Sequence, residues 1–332
     1  MLNKEFLFKK VAFSSATLIL LILTSIFVML FIYAKPAINE YGLNFLTDAS
    51  WNKSVVIHNS TQNTLQAQQN KIDDDENDGS LFSDDNSILD EESDDISKNE
   101  DNIITKTIFG GYIPIVGTIL SSLIAMVFAI PIALGIAVFL SEIAPDFLIK
   151  PVGIAIELLA AIPSIIYGMW GLFYFAPILQ NIFGGSQMSL LTAGLVLGIM
   201  VIPFMAAITR DAMNTTPDVL KESAYALGAT KFEVVKDVIF PYAKVGIIGS
   251  IILSLGRALG ETMAVAFLIG SVFKIPHHLT DPTISIPIVL ANNFGEATKD
   301  MMGAIFYLTF ILFIFSFLVI GIAKFYFLRG RR

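Results

Sequence analysis

Six long apolar stretches constrain this sequence more than any other feature. Hydrophobic residues make up 55% of the 332 residues, charged residues only 15%, and the mean hydropathy is +0.70. A soluble chain of this composition lacks the polar groups to cover its surface, whereas a helix that spans a bilayer needs about 20 mostly apolar residues. We therefore expect an all-α integral membrane protein with six transmembrane helices, near 11–33, 112–140, 152–177, 188–209, 245–272 and 302–327.

Lysine and arginine residues flank these stretches at three places and set the expected orientation. Positive charges near the ends of spans concentrate on the cytoplasmic side of a membrane. With six spans, all three groups fall on one side, which predicts cytoplasmic termini and an extracytoplasmic loop at 34–111. The groups are Lys4, Lys9 and Lys10; Arg210, Lys221, Lys231, Lys236 and Lys244; and Lys324, Arg329, Arg331 and Arg332.

The first apolar run, at 11–33, could be mistaken for a secretory signal. It is longer than the apolar core of about 7–15 residues in such signals, and no clear A-x-A site follows. We expect a retained anchor, so that 1–33 holds the N-terminal tail and first helix. Residues 112–332 should then form a core with five transmembrane helices and a cytoplasmic loop at 210–244. The chain has no cysteine, which excludes disulfides and thiolate metal sites.

The loop at 34–111 is strongly acidic, with 16 Asp and Glu against 5 Lys. Residues 60–105 combine high net charge with few aromatic residues and no periodicity, so we expect a disordered insertion there. Five of its residues have the spacing of an EF-hand loop, but Glu at the third position, Asp at the twelfth and no evident flanking helices argue against calcium binding. These five are Asp74, Glu76, Asp78, Gly79 and Asp85.

No pattern in the chain indicates a catalytic centre or a metal site. His277 and His278 are adjacent but lack a third ligand, which is more typical of a polar loop than of a metal centre. No Ser–His–Asp set and no pair of carboxylates with catalytic spacing stands out. The sequence therefore favours a role other than enzyme.

Residues 215–241 resemble two short helices joined at a glycine. Thr216 can cap the first helix, and Pro217 suits its first position. Gly228 stands where a left-handed C-terminal cap is expected. Thr230 and Glu233 then have capping-box spacing for a second helix, which should end or bend at Pro241.

The first of these helices is thin, because Ala224, Ala226 and Gly228 have small side chains. A thin amphipathic helix in a cytoplasmic loop can lie in a groove of another protein. It can equally rest on the membrane surface. The residues alone leave both interpretations open.

Besides Lys324 at the end of the sixth, three charged residues fall within the predicted spans. Arg257 lies near the middle of the fifth span, Glu261 follows one turn later on the same face, and Glu157 lies in the third span. Charged residues inside a membrane usually pair with one another or mark a substrate pathway. One interpretation is an ion pair of Arg257 with Glu261 or Glu157 that fixes helix packing. The other places Arg257 beside the path of an anion, with Glu261 moderating its field.

The loop also carries a family resemblance. Its Glu, Ala, Gly, apolar and Pro residues match the EAA loop of ABC importer permeases, with Ser223 and Phe240 as mild departures. In that family the loop docks on a separate ATPase subunit, and no G-x-x-x-x-G-K-[ST] motif occurs in this chain. The matching residues are Glu222, Ala224, Gly228, Val238 and Pro241.

Further motifs resemble the permeases of phosphate ABC importers, above all the C-type subunits of the Pst system. The likeness covers nearly the whole chain except 52–108. The motifs are PIVGT (114–118), SEIAP (141–145), ELLAAIPSIIYGMWGLF (157–173), GRALGETMAV (256–265) and ANNFGEA (291–297). The acidic insertion departs from the shorter loop of the family.

The resemblance implies a MetI-like permease fold and a transport subunit for inorganic phosphate in the bacterial inner membrane. It implies three partners: an ATP-binding subunit, a second homologous permease and an extracytoplasmic phosphate-binding protein. The chain itself would bind no cofactor, since ATP and Mg²⁺ would sit on the ATPase. Glu222, Ala224, Gly228 and Pro241 would couple to that ATPase. The alternatives are a permease for another oxyanion, an ion-coupled secondary anion transporter, and a membrane scaffold that does not transport.

Overall fold

The structure, a computed structural model, describes residues 2–57 and 104–328. Helices dominate this part of the chain. They are α1 (Leu2–Tyr41), α2 (Tyr112–Val138), α3 (Asp146–Ala161), α4 (Ser164–Trp170), α5 (Ala176–Phe183), α6 (Leu190–Asn214), α7 (Asp218–Ala226), α8 (Lys231–Glu233), α9 (Phe240–Leu259), α10 (Met263–Leu268), α11 (Ile286–Asn293) and α12 (Lys299–Leu328). Turns of 3₁₀ type extend two of them at Gly42–Leu46 and Phe294–Glu296, and π-helical turns occur at Phe139–Ile143, Gly171–Phe175 and Val234–Ile239.

Six helical segments within the described residues are long and apolar enough to cross a membrane, which confirms the number of predicted spans. They are Phe6–Leu46, Tyr112–Ile143, Ser164–Phe183, Leu190–Asn214, Lys231–Leu259 and Lys299–Phe325. Apart from the first helix, which continues to Leu46, the boundaries of the third and fifth spans differ most from the prediction. Both differences arise where helices break, and both move charged residues.

The third span begins later than residue 152, where the sequence predicted it to start. Helix α3 ends at Ala161, and the span starts at Ser164. Pro163 has no amide hydrogen and disfavours a helical conformation at the residue before it. Ile162 and Pro163 are accordingly extended, with ψ angles of 129° and 135°. Glu157 therefore lies on α3 and not, as predicted, within the third span.

The fifth span starts and ends earlier than the predicted 245–272. It continues through Pro241, where the helix was expected to end or bend: the π-helical turn Val234–Ile239 leads into α9, and Pro241 is the second residue of that helix. Proline is tolerated in the first turn of a helix. The helix then ends at Leu259 and is followed by Gly260, with φ −94° and ψ 0°. Helix α10 starts three residues further on, at Met263.

A small antiparallel sheet was missed by the all-α prediction. Strand β1 (Lys53–Ile57) pairs with β2 (Ile104–Ile108), with Lys53 opposite Ile108 and Ile57 opposite Ile104. Their β-branched residues are typical of strands and were the available signal. The sheet belongs to a compact unit of its own, 52–108. Residues 104 and 105 of the expected insertion lie in β2, whereas 60–103, with the EF-hand-like positions, lie outside the described residues.

The core of the larger unit centres on α2 and α6, which pack along each other. Glycines in α6 allow a close approach. A Cβ atom on Gly194 would lie 2.7 Å from Cβ of Ile124, and one on Gly198 would lie 3.0 Å from the carbonyl oxygen of Ala125. Small residues permit such packing between membrane helices. These contacts make α2 and α6 a tightly joined pair.

A second apolar cluster, here called the loop cluster, lies where the loop after the fourth span meets the bundle. It joins residues from the end of α2, the end of α6, the π-helical turn and the start of α9. The half-buried Ala224 and Ala229 pack against it. Its buried members are Ala137, Met213, Val234, Val235, Ile239, Ala243 and Ile247.

Candidate functional site

The loop between the fourth and fifth spans forms two helices around a glycine, as the sequence predicted. Helix α7 begins at Asp218, and Pro217 occupies the capping position with no side-chain hydrogen bond. The prediction that Thr216 caps this helix is wrong, because its hydroxyl is buried and has no hydrogen-bond partner in the structure. Proline fixes the entry to the helix through its own restricted φ angle.

Gly228 ends α7 in a left-handed conformation, with φ +87°. Its amide donates to the carbonyl of Tyr225 at 2.9 Å, and the amide of Ala229 donates to the carbonyl of Ala224 at 3.1 Å. These two bonds define a Schellman motif, which favours glycine at the left-handed position. The predicted C-terminal cap is confirmed, and it sets the angle between α7 and the next helix.

Thr230 and Glu233 form the predicted capping box. The Glu233 amide donates to the Thr230 hydroxyl at 3.4 Å, and the Thr230 amide donates to Glu233 Oε2 at 2.7 Å. The box satisfies two backbone donors at the start of α8. The turn between α7 and α8 is therefore defined at both ends by local hydrogen bonds.

Apolar side chains on this polar loop are exposed. Leu227 is 90% exposed, Phe232 73% and Val219 70%. Glu222 is also exposed on α7. Exposed apolar groups on a charged segment are typical of a protein-binding surface. A shallow cleft of about 390 Å³ lies beside them, lined by Ala224, Leu227, Gly228, Ala229, Glu233, Asp237 and Val238.

Helix α7 is tied to the second span by an ion pair that sequence reasoning did not find. Lys221 Nζ lies 2.7 Å from Oε1 of Glu142, and the two side chains are only 16% and 9% exposed. Glu142 lies in the π-helical turn Phe139–Ile143, which ends the second span. A carboxylate at the end of that span and a lysine in the loop were the available signals. Their separation by 79 residues hid the pairing.

Arg257 lies in the last turn of α9. A cation is favoured at this end of a helix, where unsatisfied carbonyl groups carry partial negative charge. The side chain is half-buried, and its guanidinium carbon lies 5.4 Å from the centre of the Phe204 ring on α6. This is a cation–π arrangement. Within residues 2–57 and 104–328, no carboxylate oxygen lies within ion-pair distance of Arg257.

Glu261 does not lie one turn after Arg257 on the same helix, as predicted. The helix ends at Leu259, so Glu261 falls in the break before α10. Its Oε1 accepts a hydrogen bond from the amide of Ala264 at 3.3 Å. Glu261 therefore caps the start of α10.

Glu157 contacts a different arginine from the one considered in the sequence. Its Oε1 lies 3.6 Å from Nη2 of Arg210, at the end of α6, and its side chain is 64% exposed. Arg210 binds the neighbouring Asp211 more closely, at 2.9 Å. The predicted pairing of Glu157 with Arg257 is therefore not found. Its role in a substrate pathway stays a prediction.

Two short helices that each follow a helix break pack against each other, and one of the breaks comes directly after the helix that carries Arg257. Helices α4 and α10 each begin directly after a break, and they pack against each other. A Cβ atom on Gly168 would lie 3.0 Å from Cα of Ala264, so these two helices approach at backbone distance. Interrupted membrane helices are where many transporters build a substrate site. Sequence reasoning missed this pairing, although Pro163 and Gly260 signalled both breaks.

The two histidines in the loop before α11 bind an aspartate through their backbone amides. The amides of His277 and His278 both donate to Asp281 Oδ2 at 3.0 Å. These bonds, that from His278 above all, hold the pKa of the Asp281 carboxyl below its ordinary value. Across 2–57 and 104–328, no cluster of three or more potential metal-ligating side chains occurs.

A protein-family model matches residues 107–329, and its description is "Binding-protein-dependent transport system inner membrane component". The phosphate transport system permease protein PstC of Pasteurella multocida is 49% identical over 65% of this chain and 74% of its own length. The protein of the same name from Mesorhizobium japonicum is 36% identical, over 95% of this chain and 88% of its own length.

A solved structure of the MetNI methionine ABC transporter, in an inward facing conformation, resembles the chain with a TM-score of 0.54. The match covers 66% of this chain and 95% of that chain, at 21% sequence identity. At this level of identity the likeness shows a common fold. It agrees with the expected MetI-like arrangement of helices.

Proposed function

Because this chain belongs to the family of binding-protein-dependent transport system inner membrane components, we propose that it is a permease subunit of an ATP-driven importer for inorganic phosphate. The six membrane-spanning segments suit a multi-pass protein of the bacterial inner membrane. Phosphate as the substrate is supported by the names of the similar proteins. The alternative substrate is another oxyanion.

The proposal that an ATPase drives transport rests on the loop around Gly228. Its backbone is defined by the Schellman motif and the capping box, so it presents Glu222 and Leu227 on a fixed frame. Ala224 and Ala229 connect this frame to the loop cluster, which includes residues of three spans. This loop is exposed on one side and packed against the bundle on the other. A rigid loop of this kind can transmit a displacement from a bound partner protein to the bundle. Glu222, Ala224, Gly228 and Pro241 would form this coupling element.

The substrate pathway would pass Arg257. A half-buried guanidinium without a carboxylate partner among the described residues has unused donors for an oxyanion, and arginine matches the geometry of phosphate oxygens. Glu261 would hold the start of α10 beside the pathway by capping that helix. Its negative charge would moderate the electrostatic field of Arg257. Glu157, which contacts Arg210, would act nearer the end of α6. Closure and opening of packed helices around this place would alternate access.

The proposed complex contains three further kinds of chain. An extracytoplasmic binding protein would deliver phosphate, a homologous permease would form the other half of the pathway, and ATP-binding subunits would dock on the loops. ATP and Mg²⁺ would be bound by those subunits, so the present chain would be a transport subunit and not an enzyme. Both termini would be cytoplasmic, and the loop at 34–111 would face the binding protein.

Affinity purification in mild detergent tests this assignment. We expect the tagged chain to copurify with an ATP-binding subunit and a second permease, identified by mass spectrometry. Replacing Leu227 and Phe232 by serine should reduce recovery of the ATPase but not of the second permease. Recovery of the chain without any ATPase, in a form that moves phosphate alone under an ion gradient, would support a secondary transporter instead.

A further inference from the structure

Helix α7 buries little surface, yet in the proposed function it would transmit a displacement to the membrane bundle. None of its nine residues is fully buried. Its apolar attachment consists of the half-buried Ala224, which packs on the loop cluster. Alanine offers little surface for such a contact, so the apolar packing of α7 alone is weak.

The ion pair between Lys221 and Glu142 is the strongest side-chain tie of this helix. Its 2.7 Å separation is that of a charge-assisted hydrogen bond, and little of either side chain is exposed to solvent. Asp218 also approaches Lys221, but at 3.9 Å and with 88% of its side chain exposed, so water screens that contact. Glu142 is therefore the dominant partner of Lys221.

The position of Glu142 connects the ion pair to the second span. Glu142 ends the second span, and the neighbouring Ser141 contacts Met213 of α6 at 3.6 Å. Upstream, α2 is joined to α6 by the backbone approach at Gly194 and Gly198. A displacement of Glu142 along the helix axis therefore moves a tightly packed pair of core helices, because close-packed interiors transmit strain.

We propose that Lys221 and Glu142 are positioning residues that join the coupling helix α7 to the second span, so that the two move as one unit during transport. This inference rests on the proposed function, since it assigns the pair a role in ATP-driven movement. The pair does not touch substrate. It carries the displacement of α7 to α2, in parallel with the apolar contacts of the loop cluster.

The test uses the complete complex, purified with its ATPase and reconstituted in liposomes, and measures phosphate taken up per ATP hydrolysed. For Lys221→Met and for Glu142→Gln, we expect this ratio to fall by about fivefold or more, the size of a typical coupling free energy between sites. Lys150→Met is the matched control, because it removes an exposed lysine from α3. The control should keep the wild-type ratio.

Each single variant leaves one charge without its partner and can therefore impair folding. A double variant, Lys221→Cys with Glu142→Cys, removes both charges and provides two thiols in a chain that has no other cysteine. Before treatment, its transport ratio should be low. A reducible bifunctional thiol reagent that bridges the two positions should restore the ratio, and reduction should abolish it again. A pair with a merely structural role would not show this reversible rescue.

The outcomes separate the two proposals. If the wild-type complex does not take up phosphate with ATP, the proposed function fails. If the wild-type complex does so and the unbridged double variant has the same ratio of phosphate to ATP, the positioning role of Lys221 and Glu142 is refuted. A bridged variant that hydrolyses ATP but transports no phosphate would also refute it, because it would show that the two helices must separate.

Discussion

The guanidinium carbon of Arg257 lies 5.4 Å from the centre of the Phe204 ring, so the fifth span places a cation against an aromatic face of the fourth. The aromatic face partly compensates the charge. It leaves the N–H groups in the plane of the guanidinium available to an anion. The arrangement therefore connects the packing of two spans with the proposed path of the substrate.

Replacing Arg257 by glutamine should abolish most phosphate uptake without preventing assembly. Hydrogen bonds to charged groups contribute about 1.5–3 kcal/mol, which corresponds to roughly tenfold or more in rate. Lys244→Gln is the control, because it removes an exposed positive charge from the same helix. Uptake of labelled phosphate per mole of purified complex is the measurement. An Arg257→Gln complex that transports at the wild-type rate would exclude Arg257 from the pathway.

Replacing Gly228 by alanine should weaken coupling to the ATPase. The left-handed conformation costs residues other than glycine about 1–2 kcal/mol, although a Cβ atom at this position would meet no other atom within 4 Å. The loss should thus come from backbone strain and not from a steric clash. We expect lower phosphate-stimulated ATP hydrolysis in Gly228→Ala and a milder defect in Gly228→Asn, since asparagine tolerates this conformation better.

Gly249→Ala is the matched control for that experiment. Gly249 lies within α9 and has no positive φ angle, and a Cβ atom added there would likewise meet no other atom within 4 Å. The control should therefore behave as the wild type. Equal ATP hydrolysis by Gly228→Ala, Gly249→Ala and the wild type would show that the Schellman motif is not needed for coupling.

Substitutions of Glu261 should separate its capping role from the role of its charge. Glu261→Ala removes the acceptor for the Ala264 amide and should destabilise the start of α10 by about 1 kcal/mol, as for other lost caps. Glu261→Gln keeps an acceptor, so it should unfold at the wild-type temperature and yet transport less. Thermal unfolding and phosphate uptake, measured on the same preparations, distinguish the two effects. If Glu261→Gln takes up phosphate at the wild-type rate, the negative charge of Glu261 has no role in transport.

The Asp281 carboxylate should stabilise its loop in a pH-dependent way. Backbone amides of His278 and His277 lower its pKa below the ordinary value of 3.8, so the folded state binds its proton more weakly than the unfolded state. The stabilisation is present above the unfolded pKa and is lost as pH falls through the folded pKa. The difference in melting temperature between wild type and Asp281→Ala should therefore shrink as the pH falls below the ordinary pKa of 3.8. A difference that grows as the pH falls below that value would contradict this assignment.

The sequence predicted those features that depend on local pattern. Apolar length gave the six spans, and spacing gave the Gly228 cap and the Thr230 capping box. Apolar length does not report whether a helix is continuous, so the breaks at Pro163 and Gly260 were assigned to the interior of spans. Those errors placed Glu157 and Glu261 on the wrong elements.

Relationships between distant residues could not be predicted in the same way. The contact of Lys221 with Glu142 joins positions 79 residues apart, and the approach of Gly168 to Ala264 depends on how two broken helices pack. Neither follows from propensity or from spacing along the chain. For Arg257, the sequence indicated a charge within a span, but its aromatic partner Phe204 became evident only from the packed helices.

The central claim is that this chain moves phosphate through the membrane when a separate ATPase drives it. The most direct measurement is uptake of labelled phosphate into liposomes that contain the purified complex, with binding protein outside and ATP inside. We predict uptake that requires ATP, the ATPase and the binding protein together, and that falls by roughly tenfold or more in Arg257→Gln. Phosphate uptake by this chain alone, driven by an ion gradient and unaffected by ATP, would contradict the claim.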